Sequence, residues 1–153
     1  MAITWANILE WQTGPLDEIA QTLFEASQGL RDAYEMGQDD LNAVQSEGEA
    51  VTAMRATTIT NLASLERALT NVNGALMAIE GARDGVATVM SLVNSTLAFA
   101  AENDCTIHPD GSITGEGTKN RRGEPSIALA KLGHMIKDAI TYADQVDTEL
   151  FHA

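Results

Sequence analysis

The sequence predicts an all-α protein: a long antiparallel helical hairpin and a third, C-terminal helix, with a small β-hairpin between helices two and three. Composition is the first reason. Twenty-three alanines stand against three prolines in 153 residues, and Ala costs least inside a helix while Pro costs most. Apolar residues make up 44% of the chain and aromatics only 5%, so the core is built from Ala, Leu, Val, Ile and Met, side chains that suit close-packed helices. Periodicity is the second reason, because apolar positions alternate by three and four residues over two long stretches. The length is that of one domain, and residues 1–153 are read as a single helical bundle.

The first helix runs from Pro15 to about Gln45, with Pro15 in the first turn, where the missing N–H costs nothing. Its seam reads Leu16, Ala20, Leu23, Ser27, Leu30, Tyr34, Gly37, Leu41 and Val44, a heptad-like pattern over about four heptads. Asp17, Glu18, Glu25, Asp32, Glu35, Asp39 and Asp40 lie off that stripe, which makes the wet face acidic. Gly48 stops the pattern and Ser46 is placed to cap the second helix.

A second seam runs Thr58, Leu62, Leu65, Leu69, Val72, Leu76, Ile79, Arg83, Val86, Met90, Val93, Leu97 and Ala100. A helix from Glu49 to about Asn103 is roughly 80 Å long, far longer than the first. Gly81 and Gly85 flank Arg83, the one charge in the stripe, and mark a kink or a change of packing partner. Residues 105–114 read as two β-branched runs around a Pro109-Asp110-Gly111 turn, a small hairpin. Residues 115–124 have the composition of a mobile loop. From Pro125, expected in the first turn, the third helix carries Ile127, Leu132, Ile136, Ala139, Ile140, Ala143, Val146 and Leu150 to about His152.

Charge narrows the function. The formal charge is -13, and such a surface cannot gain the counterion-release energy that drives nucleic-acid binding. Residues 1–50 hold ten acids against Arg31 alone, whereas residues 119–153 balance. The gradient fits either a face that meets a basic partner or a solvated helix face. No stretch reaches the roughly 18–20 apolar residues of a membrane span, and no secretory signal peptide opens the chain. No membrane insertion is expected. Cys105 is the single cysteine, so there is no internal disulfide.

Catalytic chemistry is not expected. His108, His134, His152 and Cys105 lack metal-ligand spacing. No Gly-x-Ser-x-Gly elbow occurs, and the glycine-rich run from Gly111 to Gly117 lacks the Lys-Ser/Thr ending of a phosphate cradle. The expectation is therefore no enzyme, no cofactor and no metal. Trp5 and Trp11, set among Ile3, Ile8 and Leu9, either cap the end of the bundle or form an exposed anchor for a partner.

The string Ile3-Thr4-Trp5 through Trp11, then Pro15-Leu16 with Ala20 and Leu23, resembles the N-terminus of actinobacterial proteins of the WXG superfamily. These are helical-hairpin substrates of the type VII (ESX) secretion system, including N-terminal modules of larger secreted toxins and hydrolases. In that family a Trp-x-Gly turn joins two long antiparallel helices. Here the aligned place is Ser46-Glu47-Gly48, so the glycine is kept and the tryptophan replaced, and the segment from Glu49 to Arg55 is similar to the start of the family's second helix. The hairpin from Ile107 to Thr114 and the closing Ala143, Asp147 and Leu150 resemble longer members with a third helix ahead of an effector. The family's export signal, Tyr-x-x-x-Asp/Glu, is displaced: Tyr142 has Val146 at the fourth position and Asp147 at the fifth.

The resemblance implies a non-enzymatic secretion substrate or targeting module, exported without a cleaved signal peptide and acting through protein recognition. Its partner would be the secretion machinery, a paired helical protein or an effector domain following Ala153. Trp5, Trp11, Gly48, Tyr142 and Asp147 are the candidate partner-binding residues. The alternatives are a homo-oligomeric coiled-coil scaffold, with a homodimer closing the seams, and a cytosolic chaperone for a basic toxin. The length mismatch between the first two helices leaves Val86, Met90, Val93 and Leu97 to be covered by the third helix or by another chain.

Overall fold

The computed structural model describes residues 2–44 and 47–152, with side chains through residue 149. Its helices are α1 (Trp5–Leu9), α2 (Gly14–Ala43), α3 (Glu49–Glu102) and α4 (Ile127–His152). Strands β1 (Thr106–Ile107) and β2 (Ile113–Thr114) and a 3-10 turn at Glu116–Thr118 lie between α3 and α4. The protein is thus mainly α-helical with one two-stranded antiparallel sheet among the described residues. Ser46, where the turn tryptophan of the resemblance would stand, lies outside the described residues, as do Gln45, Ala153 and the side chains of Leu150 and His152.

The chain divides into two compact units: Leu16–Glu80, and the residues up to Pro15 together with those from Gly81 on. The division falls at the first of the two glycines flanking Arg83, where the sequence marks a kink or a change of partner. α3 is helical throughout this stretch.

In the unit Leu16–Glu80, all nine seam positions of α2 are buried or half-buried, and Gln28 alone joins them between Leu16 and Val44. The periodicity of α2 therefore identifies its packed face. Ser27, Gly37 and Val44 each meet a residue of α3. The Ser27 hydroxyl donates to Asn73 Oδ1 at 2.8 Å. Gly37 lies against Leu62, where an added Cβ would stand 2.6 Å from Cδ2. Arg55 Nη2 donates to the Val44 carbonyl at 2.6 Å. Gly48, with φ +134°, precedes α3, and its carbonyl accepts the Thr52 N–H at 2.9 Å. It opens α3 rather than closing α2, because a carbonyl just ahead of the first turn is free to accept the first intrahelical bond.

In the other unit the buried face of α3 departs from the predicted stripe. Val86, Val93 and Ala100 are buried as expected, but Ala82, Val89 and Thr96 accompany them in place of Arg83, Met90 and Leu97. Small and β-branched residues let α4 approach on that side. Gly85 lies against Val146, and Ala100 packs with Leu132 and Cys105. Thr96 is buried at no polar cost because its hydroxyl donates to the Leu92 carbonyl at 2.7 Å. Among the described residues one helix, α3, is by length and composition apolar enough to cross a membrane, contrary to the sequence expectation. Its Ser, Thr and Gly residues lower the mean hydropathy only slightly, and a third of its most apolar stretch is buried inside the protein.

α3 ends in a Schellman motif. Asp104 takes a left-handed φ of 55°, and the Cys105 N–H reaches the Ala100 carbonyl at 2.9 Å. The hairpin pairs Thr106 with Thr114 and Ile107 with Ile113. Its turn is closed by the Gly111 N–H on the His108 carbonyl at 2.8 Å, with Pro109 at the position where a fixed φ suits it.

Residues 115–124, expected as a mobile loop, are held by specific contacts. A Cβ on Gly115 would overlap the Asp104 carbonyl, and one on Gly117 that of Asn103, so these glycines permit the backbone to press on the end of α3. Lys119 bridges to Pro125, and Asn120 Oδ1 accepts the N–H groups of Arg122 at 2.9 Å and Glu124 at 3.0 Å. Pro125 consequently sits in this bridge and not in the first turn of α4. The N-cap is Ser126, whose hydroxyl accepts the Leu129 N–H at 3.1 Å and donates to the Gly117 carbonyl at 2.5 Å.

Candidate interaction site

The segment ahead of α2 brings both tryptophans to the unit formed with Gly81 onward. Thr4 and Asn7 form a capping box, in which Asn7 Oδ1 accepts the Thr4 N–H at 2.9 Å and Thr4 Oγ1 accepts the Asn7 N–H at 3.3 Å. This makes α1 a helix of one turn, which the sequence reading missed although Thr4 and Asn7 carry the signal. Trp5 and Ile8, three apart on one face, are 2% and 1% exposed, and α1 packs on α4. Trp5 is therefore a buried docking residue and not an exposed anchor; a terminal segment this short needs its large ring to stay docked. Its indole N–H has no hydrogen-bond partner among the described residues.

Trp11 is placed differently. Its N–H closes the turn after α1 on the Ile8 carbonyl at 3.3 Å, and its side chain is only half-buried. With Gln12, Val86, Val146 and Asp147 it lines an open groove of about 250 Å³. Val86 and Val146 are 7% and 6% exposed, so they form the floor, whereas Gln12 and Asp147 are exposed at the rim. Two of the five candidate residues, Trp11 and Asp147, thus share one groove. Gln12 had no signal of its own, since the groove is assembled from three segments far apart in the chain.

Tyr142 and Gly48 do not belong to it. Tyr142 is 36% exposed on α4. At about 100° per residue Asp147 lies well round the helix from Tyr142, which shares its side with Val146 instead. Gly48 is exposed, with nothing within 4 Å of an added Cβ. A cleft of about 450 Å³ in the unit Leu16–Glu80 lies between residues 40–44 and 54–58, with Arg55 among its lining residues.

The residues weighed for catalysis are dispersed. Cys105 is buried with its Sγ 3.4 Å from the Asn103 carbonyl, and His108 Nε2 pairs with Thr114 Oγ1 at 2.7 Å. His134 is exposed on α4. Among the described residues no three His, Cys, Asp or Glu side chains gather to hold a metal ion. The Asp110 carboxyl is held below its ordinary 3.8 by the Ser112 hydroxyl and then by the Ser112 N–H. That is turn chemistry, in which the carboxylate accepts both donors of the residue two places on.

Compared with protein-family models, curated proteins and solved structures, the chain matches none.

Proposed function

We propose that the protein is a non-enzymatic recognition module, built like a WXG-type substrate of a type VII secretion system or the targeting module of one. In this reading α2 and the first part of α3 form a long antiparallel hairpin, and α4 is the third helix, laid along the end of α3. The order of contacts supports it: Ser27, Gly37 and Val44 meet Asn73, Leu62 and Arg55, so numbers rise on one helix as they fall on the other. Gly85 with Val146 and Ala100 with Leu132 follow the same rule. Recognition is favoured further by large apolar side chains left exposed on the long helices, with Met36 at 66% and Met77 at 73%.

The carrying observation is the ordered α2–α3 contact set flanking Gly48, at the place of the family's turn glycine. The test is export. In a host with a type VII system, the protein reaches the medium with its N-terminus intact, and deletion of the system's ATPase retains it in cells. Retention in cells with the ATPase present overturns the reading.

A further inference from the structure

We propose that the groove beside Trp11 receives a single lysine or arginine side chain presented by a basic segment of a partner protein. The groove has three chemically distinct parts. Its floor, Val86 and Val146, is aliphatic; one wall is the Trp11 indole; its rim carries the Asp147 carboxylate and the Gln12 amide. A side chain with a methylene stem and a cationic head matches all three. The stem covers the valines, the head meets the electron-rich face of the indole, and the carboxylate and the amide carbonyl accept its N–H groups.

Other occupants fit worse. An apolar side chain would shield Asp147 from water and return no compensating bond. An anionic one would meet a like charge.

The surroundings carry the same sign. Glu10, Asp144 and Glu149 lie on the segments that wall the groove, and the chain as a whole stands at -13. The cation closest in sequence to Val86 is Arg83, whose guanidinium is 3.8 Å from Asp84. Lys137 is ten residues before Asp147 on α4, about 15 Å along the axis and beyond the screening length of about 8 Å at physiological salt. A cation approaching this groove is therefore attracted.

The inference rests on the reading that the protein acts by recognition, and it is independent of the export route. Its test is a titration of the purified full chain with blocked Ala-Ala-Arg-Ala-Ala peptide, followed by the two indole N–H resonances. The Trp11 signal is expected to shift and that of buried Trp5 to stay. Asp147→Asn and Trp11→Leu, each checked for helical content by circular dichroism and titrated through the backbone amide resonances of Gln12 and Val86, are expected to weaken binding about three- to fivefold. Asp39→Asn is expected to leave binding unchanged. The same peptide with norleucine in place of arginine should bind several-fold more weakly. A fixed Trp11 resonance, equal binding of the norleucine peptide, or equal weakening by Asp39→Asn and Asp147→Asn would each overturn the proposal. Export of a protein that fails this titration would leave the secretion reading standing, so the two can fail separately.

Discussion

Gly85 and Val146 approach so closely that a Cβ on residue 85 would stand 2.9 Å from both Cγ atoms of Val146. Val146 is β-branched and 6% exposed, so it has little freedom to yield. Gly85→Ala is expected to destabilise the protein even though Ala gains about 1 kcal/mol of helix propensity, because overpacking a tight contact costs typically about 1–3 kcal/mol. Gly74→Ala, where nothing lies within 4 Å, should instead stabilise by about 0.5–1 kcal/mol. Urea midpoints of the two variants moving in the same direction would refute the close packing.

The two units differ in burial. Among the described residues of Leu16–Glu80 only Ala20 and Ser27 are buried, the rest of both seams being half-buried, whereas Leu132, Ala139 and Ala143 reach 0% exposure in the other unit. Amide exchange is therefore expected to be slower in residues 82–100 and 129–146 than in residues 20–41 and 58–79, since local opening is easiest where few apolar side chains are buried. Leu132→Ala should cost about 2–5 kcal/mol, and Leu65→Ala, at a half-buried position, clearly less. Hydrogen-exchange mass spectrometry showing uniform protection would contradict this.

Asp104 holds a left-handed φ of 55° at the end of α3. Glycine adopts that conformation freely, whereas a β-branched residue is strained there by roughly 1–2 kcal/mol. Asp104→Gly should therefore match or exceed the parent in thermal stability, and Asp104→Ile should fall below it. An Ile variant as stable as the parent would show that the cap does not hold in solution.

The Asp110 carboxyl is lowered by its bonds to Ser112, which fixes the sign of a pH effect. A depressed pKa in the folded state means that the carboxylate's contribution to the turn is complete above the ordinary value of 3.8 and is lost as pH falls through the lower folded value. The Ser112 amide resonance should report that transition below pH 3.8, and Asp110→Asn should abolish it. A transition at or above 3.8 would contradict the bonded turn.

The nine seam residues of α2 were legible in the sequence because helical periodicity is a local property, and one acidic face suffices to say which side is wet. The starts of α2 and α3 were marked locally as well, by Pro15 in the first turn of α2 and by Gly48 just ahead of α3, whereas Pro125 does not open α4. The reading failed where two segments compete for one face. From Gly81 on, the sequence alone favours the stripe through Met90 and Leu97, yet burial falls on Ala82, Val89 and Thr96. Hydrophobicity ranks side chains one at a time, whereas close packing selects the face on which Gly85 and small neighbours admit another helix.

Two tryptophans six residues apart look alike in the chain and separate only in space, Trp5 into the core and Trp11 to the edge of a groove. That groove is set by tertiary structure alone, because its floor and rim come from α3, α4 and the segment after α1. No local pattern records the meeting of Trp11 with Asp147. It depends on where the helices dock, and docking is decided by the summed contacts of surfaces distant in sequence.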